Sequence, residues 1–147
     1  MEEIKIEKMN LDHFNEIKEV LISEFDDFWN ENLLKEEIEN ENSRYIVAKK
    51  NNEIVGFAGI KYNFDNCVEI MNIVTKKNQR RNGIGKILIE KIKEIAKEFC
   101  VQKICLEVNE QNLPAINLYQ KNGFKQVGVR KQYYDGKFDA ILMDYNL

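Results

Sequence analysis

The sequence has 147 residues, 44% of them hydrophobic, and a formal net charge of -3 at pH 7. That length fits one domain, 1–147, able to bury roughly two thirds of the surface its unfolded chain exposes. No apolar run approaches the roughly 20 residues that span a bilayer, and Met1-Glu2-Glu3-Ile4-Lys5 is not laid out as a signal peptide; one soluble, cytoplasmic domain is expected.

Ile4, Ile6 and Met9 alternate as a first strand, and Asp12 to Ile22 follows with helical spacing through Phe14, Ile17, Val20 and Leu21. A second helix is expected from Asn32 to Asn40, inside a segment, Glu24 to Glu41, with eight acidic residues against one Lys. Arg44 to Lys50 and Glu53 to Tyr62 are apolar, partly β-branched runs that read as a hairpin joined by Lys50-Asn51-Asn52. Val68 to Thr75 supplies the next strand. Beyond a glycine loop, Ile84, Leu88, Ile92, Ile95 and Phe99 mark one face of a long helix, with Lys86, Glu90, Lys93, Glu94 and Lys97 largely opposite. This basic stretch, Lys76 to Lys103, holds nine Lys or Arg against Glu90, Glu94 and Glu98, so the two segments carry opposite potentials. Ile104, Leu106 and Val108 alternate with Cys105 and Glu107 in a strand. A helix from about Leu113 to Lys121 follows, with Asn112 as N-cap and Gly123 as stop. Phe124 to Arg130 and Phe138 to Tyr145 close the chain as a hairpin around Asp135-Gly136. Cys67, Cys100 and Cys105 are odd in number and lack Cys-x-x-Cys spacing, so they read as reduced core residues and no metal site is expected.

The stretch Arg80-Arg81-Asn82-Gly83-Ile84-Gly85-Lys86, between a strand and an amphipathic helix, reads as a phosphate cradle. Its two glycines allow close backbone approach, and the first N–H groups of a helix face an anion. The P-loop pattern fails, because one residue separates the glycines and Ile87 follows Lys86. The dinucleotide fingerprint fails as well, because Leu88 occupies its third glycine position.

The remaining pattern resembles the acetyl-CoA loop of the GCN5-related N-acetyltransferase (GNAT) superfamily, which reads Arg or Gln, two residues, Gly, one residue, then Gly or Ala. Asn112, Ala115, Leu118-Tyr119 and Gly123-Phe124 add a spacing common in that superfamily. The resemblance covers nearly the whole chain and implies an α/β (α+β) fold: a central mixed, mostly antiparallel, twisted sheet of about six to seven strands flanked by about four helices. A narrower resemblance, through Leu106-Glu107-Val108, Tyr133-Tyr134 and Asp139-Ala140-Ile141-Leu142-Met143, is to bacterial ribosomal-protein-alanine N-acetyltransferases and related protein N-terminal acetyltransferases. Asn109 stands where those enzymes often carry Arg, and Phe28 where a Pro often precedes the aromatic matched by Trp29.

The resemblance implies an acyltransferase that moves an acetyl group from acetyl-CoA to a primary amine, such as the N-terminal alanine of ribosomal protein S18. Glu107 would be the general base and Tyr119 the general acid toward the departing thiolate. Ile73, Val74 and Thr75 would pair with the pantetheine arm, Asn112 would contact it, and Arg80, Arg81, Asn82, Gly83, Ile84, Gly85 and Lys86 would hold the pyrophosphate. Tyr133, Tyr134 and Trp29 would cover the acceptor. The chemistry needs a base, because an α-amine with a pKa of about 8 is mostly protonated at neutral pH. Two other readings stay open: an acetyltransferase of a small amine, and a non-catalytic acyl-CoA-binding module. No metal, direct nucleic-acid contact or membrane association is expected, and the chain is expected to act as a monomer or homodimer. His13, the sole histidine, has no partners for a catalytic triad.

Overall fold

The computed structural model describes residues 3–25 and 31–147. Seven strands form one sheet: β1 (Ile4–Lys8), β2 (Ser43–Lys50), β3 (Glu53–Tyr62), β4 (Cys67–Thr75), β5 (Lys103–Asn109), β6 (Lys125–Tyr134) and β7 (Phe138–Asn146). Their order across the sheet is β1-β2-β3-β4-β5-β7-β6, and every neighbouring pair is antiparallel except β4 and β5. Four α-helices accompany it: α1 (Leu11–Ile17), α2 (Glu31–Glu39), α3 (Ile84–Lys97) and α4 (Leu113–Lys121). This is the mixed, mostly antiparallel sheet with four helices that the resemblance implies.

Both faces of the central strands are covered, so their residues are apolar in near-continuous runs. On β2, Ile46 and Ala48 pack toward Leu88, Ile89, Ile92 and Ala96 of α3, whereas Tyr45 and Val47 join Phe14, Ile17, Leu21 and Leu34 on the other face. Each large side chain so buried contributes about 1.5–3 kcal/mol relative to exposure. The β2–β3 turn places Asn51 and Asn52 at φ 53 and 64, the paired left-handed geometry of a two-residue hairpin. Asp135 and Gly136 do the same between β6 and β7, at φ 54 and 67.

Three expectations are corrected. The first helix does not run unbroken from Asp12 to Ile22: α1 ends at Ile17, Lys18–Val20 forms a 3₁₀ turn and Leu21–Phe25 a π turn. The tight and then wide turns keep Leu21 and Phe25 on the buried side, where the Phe25 ring lies 5.8 Å from that of Phe57. Strand β6 runs on past Arg130 to Tyr134, with a register shift between those two residues. Cys100 is not a core residue; it is exposed beyond the end of α3 at φ 56, while Cys67 is buried and Cys105 half-buried. All three are free thiols.

Candidate active site

The site is made by two strands that part. β4 and β5 pair in parallel only from Cys67–Lys103 to Glu69–Cys105, although β4 continues to Thr75 and β5 to Asn109. An inserted residue drives the divergence: Ile70 pairs with Ile60 and Asn72 with Gly59, which leaves Met71 as a bulge. Consequently Ile70 packs on the α3 side while Asn72 and Val74 lie on the α1 side, where the Asn72 amide donates to the Tyr45 hydroxyl at 3.1 Å. The Lys76 N–H bonds to the Val55 carbonyl across β3, at 2.8 Å. Antiparallel alternation then directs Asn72 and Val74 toward β3, and turns the N–H and C=O of Ile73 and Thr75 into the gap. A free backbone edge of this kind accepts an extended arm as an added strand.

The glycine loop lies at the end of the same strand. Arg81 sits at φ 69 and Gly83, the N-cap of α3, at φ 78 and ψ 7. The left-handed Gly83 running into the helical Ile84 turns successive N–H groups to one side, an anion-binding arrangement. α3 begins without a side-chain cap, unlike α1, capped by Asn10, and α4, capped by the Asn112 carbonyl oxygen accepting from the Ala115 N–H at 3.3 Å. A Cβ on Gly85 would come within 2.9 Å of Leu118 Cδ2, so this glycine lets α3 approach α4 closely. The uncapped α3 terminus adjoins the β4 strand, Ile84 and Val74 both lying against Gly56, so a helix start able to take an anion and a strand edge able to take an extended arm are neighbours. The Arg80 guanidinium is used differently: it donates to the Phe25 carbonyl at 3.1 Å, as the Lys77 ammonium does to the Ile22 carbonyl at 3.3 Å. Lys76 is held by Glu24 and Glu53. These contacts fasten the loop to the π turn and leave less free positive charge than the sequence suggests.

Glu107 lies on β5 facing the α1 side, opposite in direction to Leu106 and Val108. It is half-buried, and the Arg130 guanidinium donates to it at 2.8 Å. Tyr134 is half-buried, and its hydroxyl pKa is raised by burial first and then by Glu107. Its neighbour Tyr133 is exposed, edge-on to Tyr134 at 5.1 Å, with the Arg130 guanidinium 4.8 Å above its ring. Tyr119 of α4 is buried beside Phe124, with ring centroids 5.7 Å apart. Burial, with a smaller contribution from Tyr134, pushes its hydroxyl up to about 12, and that hydroxyl makes no hydrogen bond among the described residues. Tyr134 thus links the two, feeling the charge of Glu107 and acting in turn on Tyr119. Asn112 has its side-chain oxygen committed to the cap. Trp29 lies outside the described residues.

Sequence reasoning passed over Glu69 and Arg130, which both join this cluster. Glu69 had a visible signal, since it is the only charged residue between Cys67 and Thr75. Arg130 had none, because its partner is on another strand. His13, by contrast, is a cap: its Nδ1 accepts from the Asn10 N–H at 3.1 Å while its own N–H donates to Asn10 Oδ1. Among the described residues no group of three His, Cys, Asp or Glu is arranged to hold a metal ion, and no helix is long and apolar enough to cross a membrane.

Residues 14–124 match the model of the acetyltransferase (GNAT) family. A Bacillus subtilis (strain 168) protein, provisionally named a ribosomal protein bS18-alanine N-acetyltransferase, is 32% identical over 140 residues, covering 94% of this chain and 92% of the relative. An N-alpha-acetyltransferase of Sulfurisphaera tokodaii is 34% identical over 120 residues, covering 74% of this chain and 72% of the relative. Among solved structures, the ribosomal-protein-S18-alanine N-acetyltransferase of Escherichia coli superposes with a TM-score of 0.86 at 24% identity, covering 98% of this chain and 94% of that one. The chain therefore belongs to the GNAT family, as an acetyl-CoA-dependent N-acetyltransferase whose second substrate is an amine.

Proposed function

We propose that the acceptor is the α-amine of a protein N-terminus, an alanine as in ribosomal protein bS18, and that Glu107 and Tyr119 carry the proton transfers. The observation that carries this reading is the full-length match to a relative named for that substrate. The name of the second relative, an N-alpha-acetyltransferase, supports the coarser part of it. A cytoplasmic location goes with such a substrate.

The side chains around the gap have the chemistry required. Acetyl-CoA supplies an activated thioester; Glu107 accepts a proton from the attacking nitrogen, and Arg130 holds its carboxylate in place. Tyr119, with its hydroxyl pushed up to about 12, keeps its proton at neutral pH until the leaving sulfur draws on it. An N–H of Ile73 or Thr75 at the open edge is the donor toward the thioester carbonyl. Tyr133 and Tyr134, at the end of β6, flank the approach of the acceptor.

The test is CoA release with an alanine-starting bS18 peptide against a panel of polyamines, aminoglycosides and amino acids. Efficient turnover of the peptide is expected. Turnover of one small amine with none of the peptide would replace the reading with a small-amine acetyltransferase, and acetyl-CoA binding without turnover of any amine would favour an acyl-CoA-binding module.

A further inference from the structure

Among the described residues one strand pairing joins the two halves of the sheet: β1 to β4 on one side and β5, β7 and β6 on the other meet through β4 and β5. That joint has three rungs, Cys67 with Lys103, Val68 with Ile104 and Glu69 with Cys105. Its first β4 residue and its last β5 residue are both cysteines. They stand 38 positions apart in the chain, and their sulfurs lie 3.1 Å from each other, diagonally across the joint. The Asn63 amide closes a ring around them: the Cys67 thiol donates to Asn63 Oδ1 at 3.0 Å, and Asn63 Nδ2 donates to Cys105 Sγ at 3.7 Å. Cys67 is buried, whereas Cys105 is half-buried and shares its face of β5 with Glu107. The proposed proton transfers use neither thiol.

We propose that Cys67 and Cys105 are an oxidation site: a low-molecular-weight disulfide converts them into a reversible disulfide that braces the β4–β5 joint and weakens acetyl-CoA binding. In the first step the more accessible Cys105, as thiolate, attacks one sulfur of the small disulfide, forming a mixed disulfide and expelling one small thiolate. The Cys67 thiolate then attacks Cys105 Sγ, the mixed disulfide bond breaks, and the second small thiolate leaves. The two cysteines lose two electrons, the small disulfide gains them, and the two cysteine protons end on the two small thiols. An S–S bond is about 2.05 Å long, so the sulfurs close by about 1 Å. The movement falls on the rung where β4 and β5 part, and the free edge of Ile73 and Thr75 opens beyond it. Drawing the strands together there narrows the gap that takes the extended arm of acetyl-CoA. Linkage makes the effect reciprocal: acetyl-CoA holds the gap open and disfavours the bond by the same factor. In support, burial first, then Cys67, Glu69 and Asp144, raise the Cys105 thiol, so no stabilised thiolate favours the reduced pair over the disulfide.

The test equilibrates the Cys100→Ser protein with reduced and oxidised glutathione at stepped ratios, traps free thiols with acid and N-ethylmaleimide, and reads intact mass and peptide maps. The expected product has lost two hydrogens, carries no glutathione, links the Cys67 and Cys105 peptides, and reverts with dithiothreitol. Isothermal titration should show acetyl-CoA bound at least about fivefold more weakly by the oxidised form, and saturating acetyl-CoA should shift the glutathione ratio at half-oxidation by the same factor. The Cys105→Ala protein, treated alike, should gain no bond and keep its affinity. If Cys100→Ser does not fold, the wild type gives the same readings, because the peptide map separates Cys100 from the pair. None of these readings involves the acceptor amine, so they stand or fall apart from the proposed function. Free thiols or glutathione adducts alone at every ratio, or a bond to Cys100, would overturn the oxidation site. A Cys67–Cys105 bond with unchanged acetyl-CoA affinity would overturn the brace.

Discussion

Glu69 makes a statement about stability. Its carboxyl, raised in the folded state by burial first and by Glu107 second, favours folding only while protonated, below its ordinary value of 4.5, and that advantage is lost as pH rises through the folded value. Glu69→Gln is therefore expected to melt at a higher temperature than wild type at pH 7, with the difference vanishing below about pH 4; scanning calorimetry at both values checks it. For Tyr119→Phe the expected result is different. The ring and its packing on Phe124 stay, so Tm changes little, while kcat falls by about 10²- to 10⁴-fold with little change in KM for acetyl-CoA. Arg130 is more than half exposed, so its ion pair with Glu107 contributes at most about 1 kcal/mol. Arg130→Gln should act on the kinetics rather than on the melting temperature, by releasing Glu107.

The elements that carry the site were legible in the sequence to different depths. Local chemistry showed through: the Asn112 cap, the Asp135-Gly136 turn and the Gly83-Ile84-Gly85 loop each depend on neighbours within a few residues. The Met71 bulge, the short pairing of β4 with β5 and the ion pair of Glu107 with Arg130 did not, because each is decided by partners distant along the chain. The end of α1 was missed for the same reason, since the demand that Leu21 and Phe25 both be buried overrides an unbroken 3.6-residue repeat. The loop makes its own prediction. A Cβ at Gly83 meets nothing within 4 Å but would sit at φ 78, so Gly83→Ala costs about 1 kcal/mol of backbone strain. Acetyl-CoA affinity should fall by about fivefold through misplacement of the first α3 N–H groups, which isothermal titration measures directly. Unchanged affinity would show that the helix start does not hold the pyrophosphate.

At the scale of the whole molecule, the sheet separates two tasks. β4 and the start of α3, which the proposed function assigns to the donor, adjoin a basic stretch, whereas α2 and the turn after it keep Glu36, Glu39 and Glu41 exposed. Exposed charges of that kind steer rather than bind, so their effect is screened by salt. For a basic alanine-starting peptide, kcat/KM should fall as ionic strength rises from about 0.05 to about 0.5 M, through KM, with kcat unchanged; a salt-independent KM would remove the acidic face from the account. The destination of the acetyl group decides between these acceptors. Mass spectrometry of an alanine-starting bS18 peptide after incubation with acetyl-CoA should place the acetyl group on its N-terminal α-amine with the wild-type protein, and show none above the uncatalysed background with the Glu107→Gln, Tyr119→Phe double variant. Acetylation on a lysine side chain, or equal α-amine acetylation by the double variant, would contradict it.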